Sequence, residues 1–366
     1  MGRTDFLVAK PWTDFDRETR EIFSPPTTIS TSRNKQIPIS MNTKMCEPAI
    51  SIVIPTYNGE KYLAKTISSI LGQTFTSYEI ICIDDCSTDA SLSLLKEFES
   101  KDERIRVFSM PSNLGIVPKV INFAIPYIRG AFYVYSSQDD LFSIDWLEKM
   151  HDRAQETNAD AVIPDLVFYH EDESRNNREL IGVNGNRDIC ISNREAVLLS
   201  LDWSIPANAL WNSSIIKQIG YYDFGMNADE YSSRVHFFHC NKIAFSKGTF
   251  YYRQDNPDAI TKRLSSKSFD LPYTDFKLWE FLKANDFPIR DQVRSMKRSV
   301  LGLLKWKFDL IRHNGEPLDG ADERLEKTFT RLKQHGIRKV LCKELTLEYA
   351  IALIGFMGNY HFSLTS

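Results

Sequence analysis

A chain of 366 residues with 42% apolar and 25% charged residues has ordinary globular composition, and its length suggests about two domains or one core with an extension. The formal net charge of -3 leaves no basic surplus, which argues against a nucleic-acid partner. A local basic cluster, Arg290, Arg294, Lys297, Arg298, Lys305 and Lys307, falls on a helical pattern and reads as a solvated face. The cysteines, Cys46, Cys82, Cys86, Cys190, Cys240 and Cys342, show no zinc-type pairing and are expected as free thiols of a reducing compartment. No apolar leader core is visible in residues 1–40, and no run reaches the roughly 20 apolar residues that span a bilayer. A cytoplasmic protein is expected, with peripheral membrane contact left open.

Residues 1–46 are mixed and polar, with Pro25-Pro26 followed by Thr27, Thr28, Ser30, Thr31 and Ser32, and read as a flexible or packed arm. At Ile50-Ser51-Ile52-Val53-Ile54-Pro55 a short apolar run closed by proline marks a buried strand. Leu63, Ile67, Ile70 and Leu71 then recur at helical spacing, and Glu79 to Ile83 gives a second buried strand that ends in Asp84-Asp85. Ser87 and Thr88 are placed to cap a helix over 90–100, whose apolar face is Leu92, Leu94, Leu95 and Phe98. A third strand over 104–109, a loop holding Asn113 and Gly115, a helix from about Lys119 to Ile128, and a fourth strand over 131–135 follow. That strand stops in Ser136-Ser137-Gln138-Asp139-Asp140.

Strand and helix alternate at about thirty-residue intervals, the βαβ pattern of an open, mainly parallel sheet with helices on both faces. Ligands bind such sheets outside the carboxyl ends of the strands. Thr56-Tyr57-Asn58, Asp84-Asp85 and Ser137 to Asp140 should therefore share one edge. The second half is less regular: a strand over 161–170, aromatics and a turn at Gly220 within 203–229, and a strand pair over 242–253. From Ser268 the pattern turns helical, and Leu345 to Phe356 is apolar enough for a core, dimer or membrane-surface helix.

Carboxylates at strand ends with no His or Cys cluster suit a hard cation, Mg2+ or Mn2+, which takes oxygen ligands and bridges to substrate phosphates. Asp139 and Asp140 are the expected anchors, although paired acids after a strand also serve simply as caps or solvated residues. Neither a P-loop nor a dinucleotide fingerprint follows the first strand, which ends instead in Pro55-Thr56-Tyr57-Asn58-Gly59. Kinases, ATPases and NAD-linked dehydrogenases are thereby disfavoured, and nothing supports a serine nucleophile elbow.

Ile52 to Asn58, Ile67 to Thr74, Ile83 to Asp89 and Ser137 to Leu141 occur in the order and spacing of glycosyltransferase family 2, and the chain resembles that family from about residue 49 to 265. The resemblance implies an inverting enzyme with the A-type nucleotide-diphospho-sugar transferase fold, a catalytic domain over 47–265 and a helical region over 266–366. It places Tyr57 near a uracil ring, with Pro55, Thr56 and Asn58 in the same segment and Asp85 on the base. Asp84 either joins it or serves the loop backbone. Asn113, Gly115 and Lys119 fall in the loop that approaches the phosphates. Ser137, Gln138 and Asp139 correspond to the nucleotide-sugar segment, and Asp139 and Asp140 to the acids of the DXD motif that hold metal and ribose. Ser137 stands where members often carry an acid, which puts metal affinity in doubt.

Asp229 falls at the family's catalytic base, with Glu230 as the fallback. Arg253 is placed to reach the diphosphate or to pair with a nearby acid. Trp203 and Trp211 lie where acceptor pockets form, though a plain core role fits equally. The implied partners are a nucleotide-sugar donor, UDP-linked by expectation, and a glycan or lipid-linked glycan acceptor, with membrane contact or a homodimer through the C-terminal helices left open. Surface polysaccharide synthesis is the expected setting. Two rivals keep the fold: a nucleotidyltransferase, which would need a Gly-rich, Arg-containing loop after the first strand, and a non-catalytic sugar-nucleotide-binding or scaffold module, which the Ser137 departure favours.

Overall fold

The computed structural model describes residues 47–175, 178–259, 262, 265–312 and 320–334. The expected arm over 1–46 and the apolar segment Leu345 to Phe356 lie outside the described residues. In chain order the first half comprises β1 (Ile50–Thr56), α1 (Glu60–Leu71), β2 (Tyr78–Asp84), α2 (Ser91–Lys101), β3 (Ile105–Ser109), α3 (Val117–Ala124), β4 (Phe132–Tyr135), β5 (Leu141–Phe142) and α4 (Trp146–Thr157). The second half comprises β6 (Ala161–Tyr169), β7 (Glu179–Leu180), α5 (Asn193–Ser200), β8 (Leu210–Asn212), α6 (Ser213–Ile219), α7 (Ala228–His239) and β9 (Ile243–Arg253). Helices α8 (Leu271–Ala284), α9 (Ile289–Arg312) and α10 (Ala321–Gln334) follow.

The strands form one nine-stranded sheet in the order β3-β2-β1-β4-β8-β6-β9-β5, with β7 paired to β6. Strands β1 to β4 run parallel, as the alternating pattern requires. The second half departs from a mainly parallel sheet: β8 lies antiparallel between β4 and β6, and β5 antiparallel on β9. The expected strand pair over 242–253 is a single strand, β9, parallel to β6 along most of its length. Its register slips between Ile163 and Asp165, where Pro164 offers no N–H to the ladder.

Side-chain alternation divides the core into two layers. Ile50, Ile52 and Ile54 of β1 and Ile80 and Cys82 of β2 pack under Leu63, Ile67 and Ile70 of α1 and Trp146, Leu147 and Met150 of α4. Val53, Ile81 and Ile83 face the other way, against Val120 and Ile121 of α3, Ala196 and Val197 of α5 and Ile216 of α6. Helix α8 joins a third cluster to this body. Leu278 and Leu282 enter the sheet's core, while Phe276 and Trp279 meet Met296, Val300 and Leu303 of α9 and Leu325 and Leu332 of α10.

At the amino edge of the parallel strands, Glu79 is buried and joins three strands. Ser51 Oγ donates to it at 2.6 Å, the Arg129 backbone N–H at 2.9 Å, and the Arg129 and Arg106 guanidinia at 2.8 Å each. Burial opposes its charge, but Ser51 and Arg129 outweigh it and hold the carboxyl below its ordinary range. Gly130 closes the same corner, because a Cβ there would stand 2.6 Å from the Ser51 backbone nitrogen. Glu79→Ala should cost about 1–3 kcal/mol in urea unfolding by leaving these donors without their acceptor, while the site at the opposite edge keeps its ligand affinity.

Candidate active site

The carboxyl ends of the parallel strands line up in register, Thr56 beside Asp84 and Asp84 beside Ser109. Loops after these strands are tied to one another by short polar side chains. Asn58, in the left-handed region at φ 49°, donates its backbone N–H to Ser87 Oγ and accepts the Thr88 N–H at 2.8 Å on its side-chain oxygen. Ser87 and Thr88 therefore knit two loops together instead of capping α2, whose preceding residue is Ala90. Asp84 accepts the Ser87 N–H at 3.2 Å and serves the loop backbone, with its Oδ1 buried and unpartnered. Asp85 accepts the Leu114 N–H at 2.7 Å, and Asn113 donates its side-chain amide to the Asp85 carbonyl. Burial raises the Asp85 carboxyl above its ordinary range, partly offset by the Leu114 and Gly115 N–H groups. Gly115 takes φ +83°, which favours glycine. Above this floor the Tyr57 ring projects, 46% exposed.

The second acidic group follows β4. Asp140 is 2% exposed, and its Oδ1 accepts the Arg253 backbone N–H at 2.9 Å. Arg253 Nε donates to the Asp139 carbonyl at 2.7 Å, and Asn256 donates to Asp139 Oδ2 at 2.7 Å. Burial and then the charge of Asp139 hold the Asp140 carboxyl well above the usual carboxylate range. Across the crevice, Asp229 and Glu230 open the first turn of α7. Glu230 Oε2 is taken by both Arg234 Nη atoms at 3.3 Å. Asp229 receives no such partner among the described residues. Burial and then the charge of Glu230 push its carboxyl up to about 6, against helix-start N–H groups and Arg234.

Tyr252 connects the two groups. Its phenol is pushed up to about 12 by burial and then by the charges of Asp140, Glu230, Asp139 and Asp229, so one hydroxyl feels all four carboxylates. The Tyr135 phenol is likewise raised well above its ordinary range, by burial and then by the charges of Asp229 and Asp140. Trp203 stacks on Tyr252 with ring centroids 6.5 Å apart and planes at 26°, and it contacts Phe168 at 6.3 Å. It holds φ at 62°, a costly conformation for a bulky residue of the kind found at functional sites.

Several expectations need correction. Pro55 and Thr56 are the last residues of β1 and lie inside the sheet, so their side chains do not line the loop. Gln138 spends its amide on the backbone of Tyr57, accepting its N–H at 2.8 Å and donating to its carbonyl at 3.0 Å. Asn58 is likewise engaged in the loop ties. Lys119 stands exposed on the first turn of α3. Trp211 belongs to the core, 2% exposed and packed on His236 and Phe237. Arg253 does not reach into the crevice: its side chain is 0% exposed, pairs with Asp255 at 3.0 Å and Glu171 at 3.3 Å, and lies over the Tyr62 and Tyr169 rings. Its position in the sequence supported either role, and burial decides for the ion pair. Tyr135, Tyr252 and Asn256 were missed as site residues. Tyrosines at the ends of two strands that both finish beside acids were the available signal.

Among the described residues no three His, Cys, Asp or Glu side chains gather as a metal cage. The Asp139–Asp140 pair nonetheless fits a hard divalent cation. Burial and the charge of Asp139 destabilise the charge of Asp140, which a cation would relieve, and Mg2+-type ions commonly use one or two carboxylates and complete their shell with phosphate and water.

An open mixed sheet, parallel in its first half and carrying acids at its strand ends, is the A-type fold of nucleotide-diphospho-sugar transferases. The solved structure of Staphylococcus aureus TarS 1–349 in complex with UDP-GlcNAc shares it with a TM-score of 0.51 and 16% identity, over 84% of this chain and 79% of that one. Residues 51–220 match the family described as Glycosyl transferase family 2. Glycosyltransferase GlyG of Streptococcus pneumoniae serotype 4 is 29% identical over 239 residues, 61% of this chain and 75% of GlyG. A poly(ribitol-phosphate) beta-glucosyltransferase of Bacillus spizizenii is 34% identical over 119 residues, which are 32% of this chain and 19% of that protein. No helix among the described residues is long and apolar enough to cross a membrane.

Proposed function

We propose that the chain transfers a hexosyl or N-acetylhexosaminyl group from a UDP-sugar to an acceptor hydroxyl with inversion. Asp229 is the general base, and Asp139 and Asp140 hold Mn2+ or Mg2+. The observation that carries this reading is the acidic pair after β4, Asp140 held by the Arg253 N–H and Asp139 by Asn256, inside the segment that matches Glycosyl transferase family 2. The exposed Tyr57 ring offers a face for the base, and Asp85 a carboxylate that accepts the imide N–H of uracil. A divalent cation, when bound, neutralises charge that develops on the diphosphate leaving group.

Asp229 takes the proton of the acceptor hydroxyl as that oxygen attacks the anomeric carbon. The bond to the diphosphate breaks on the opposite face, UDP departs with the electron pair, and a single displacement inverts the centre. Glu230 is tied to Arg234, which leaves Asp229 as the available base. Trp203, stacked beside Tyr252, offers an aromatic face to an acceptor ring. The Bacillus spizizenii relative is named for a polymer, poly(ribitol-phosphate), and a hydroxyl of a surface polysaccharide or its lipid-linked precursor is the proposed acceptor class.

Screening α-linked UDP-sugars with Mn2+ and following the new anomeric proton by NMR tests the mechanism. A β-linked product is expected, and an α-linked product would contradict single displacement. Arg253→Lys keeps the charge but loses the planar fork that grips Asp139, Asp255 and Glu171. It should weaken Mn2+-dependent UDP binding by about tenfold in calorimetry, as loss of a support behind a ligand does.

A further inference from the structure

The helical extension grips the turn from which the proposed base, Asp229, springs. Residues Gly225, Met226 and Asn227 lead directly into α7, and both ends of this turn use unusual backbone, Gly225 at φ +153° and Asn227 at φ 61°. The turn is held from outside. Asp270, 6% exposed, accepts the Met226 N–H on Oδ2 at 3.2 Å, and the same oxygen is paired with Arg324 of α10. Thr274, 8% exposed on α8, donates its hydroxyl to the Met226 carbonyl at 2.7 Å. A Cβ on Gly225 would lie 2.7 Å from Asp270 Cβ, so the bare glycine backbone is what lets the Asp270 side chain come against the turn. The backbone N–H and C=O of Met226, and so the peptide units on both sides of it, are therefore fixed by side chains outside the family-matched segment 51–220.

We propose that Thr274 and Asp270 are positioning residues for Asp229, so that the extension sets where the base stands relative to the acceptor oxygen. The proposal rests on Asp229 being the base. The physical reason is that Asp229 lies three residues beyond Met226, within one helical turn, and that no side chain among the described residues hydrogen-bonds its carboxylate. A shift of about 1 Å in such a group can cost on the order of 10²-fold in rate without altering donor affinity.

The test uses the full chain and whichever of UDP-glucose, UDP-galactose, UDP-GlcNAc and UDP-GalNAc it hydrolyses fastest with Mn2+. Thr274→Val should lower kcat on the order of 10²-fold with KM unchanged and a cooperative thermal melt retained. Thr274→Ser, which restores the hydroxyl, should recover most of the rate. Asp270→Asn, which weakens the hold of Arg324, should give the same split and stands in if Thr274→Val does not fold. Wild-type kcat in a folded Thr274→Val or Asp270→Asn protein would overturn the proposal, as would failure of Thr274→Ser to recover the rate. Wild-type turnover by Asp229→Asn would instead overturn the base reading and take this proposal with it.

Discussion

Asp229→Asn is expected to cut transfer by about 10²–10⁴-fold, the usual contribution of a general base, while UDP affinity stays unchanged. The same variant should melt at a higher temperature than the wild type at pH 7.5. Burial and the neighbouring Glu230 charge raise the Asp229 carboxyl from 3.8 to about 6 in the folded protein. Between these two values the folded state holds a proton that the unfolded chain releases. Above about 6 both states are ionised, and folding bears the full cost of a poorly hydrated charge. Asn removes that cost, on the order of 1 kcal/mol for a half-buried group, or a rise of about 2–4 °C in Tm. In the wild type, transfer should fall about tenfold per pH unit below about 6, because the protonated acid no longer accepts the hydroxyl's proton. The groups that share this field are Glu230 and Arg234 on α7, with Tyr135 and Tyr252 on the strands opposite. A gain in stability joined to loss of rate marks a functional acid, since a structural one would show neither in that combination.

Asp140→Asn should lower transfer by at least about 100-fold, because groups merely supporting a metal ligand already cost 10–100-fold. The substituted amide still offers an oxygen to the Arg253 N–H that Asp140 accepts, so the loop after β4 should keep its shape. What it loses is charge beside Asp139, and with it the attraction for a hard cation. Initial rates measured over a Mn2+ titration check this. An Asp140→Asn enzyme saturating at wild-type metal concentration and rate would remove Asp140 from the metal site.

Strands β1 and β2 were legible because each is buried along its whole length and reads as a nearly continuous apolar run ending in polar residues. Strands β5, β7 and β8 were not, since two or three residues hold too little pattern to separate strand from loop. Of the two acidic groups, Asp139 and Asp140 stood out by position at a strand end. Asp229 was found through family resemblance, as a charged residue in the first turn of a helix has an ordinary electrostatic role. Arg253 was ambiguous for a physical reason: a guanidinium suits phosphate and carboxylate alike, and only the fully covered side chain shows which it meets. Trp203 and Trp211 looked alike in sequence and separated on folding, one strained at the crevice and one sealed under α7. The clamp on Met226 was invisible, because Asp270 and Thr274 lie 44 and 48 residues away from it.

The most direct measurement is calorimetric titration of UDP into the full chain with Mn2+ and with EDTA, repeated on Asp139→Ala. Binding with Mn2+ that is lost in EDTA and in Asp139→Ala is the result expected of a metal-dependent UDP-sugar transferase. A folded wild-type protein that binds no UDP in either condition would contradict it and leave a non-catalytic module of the same fold as the better account.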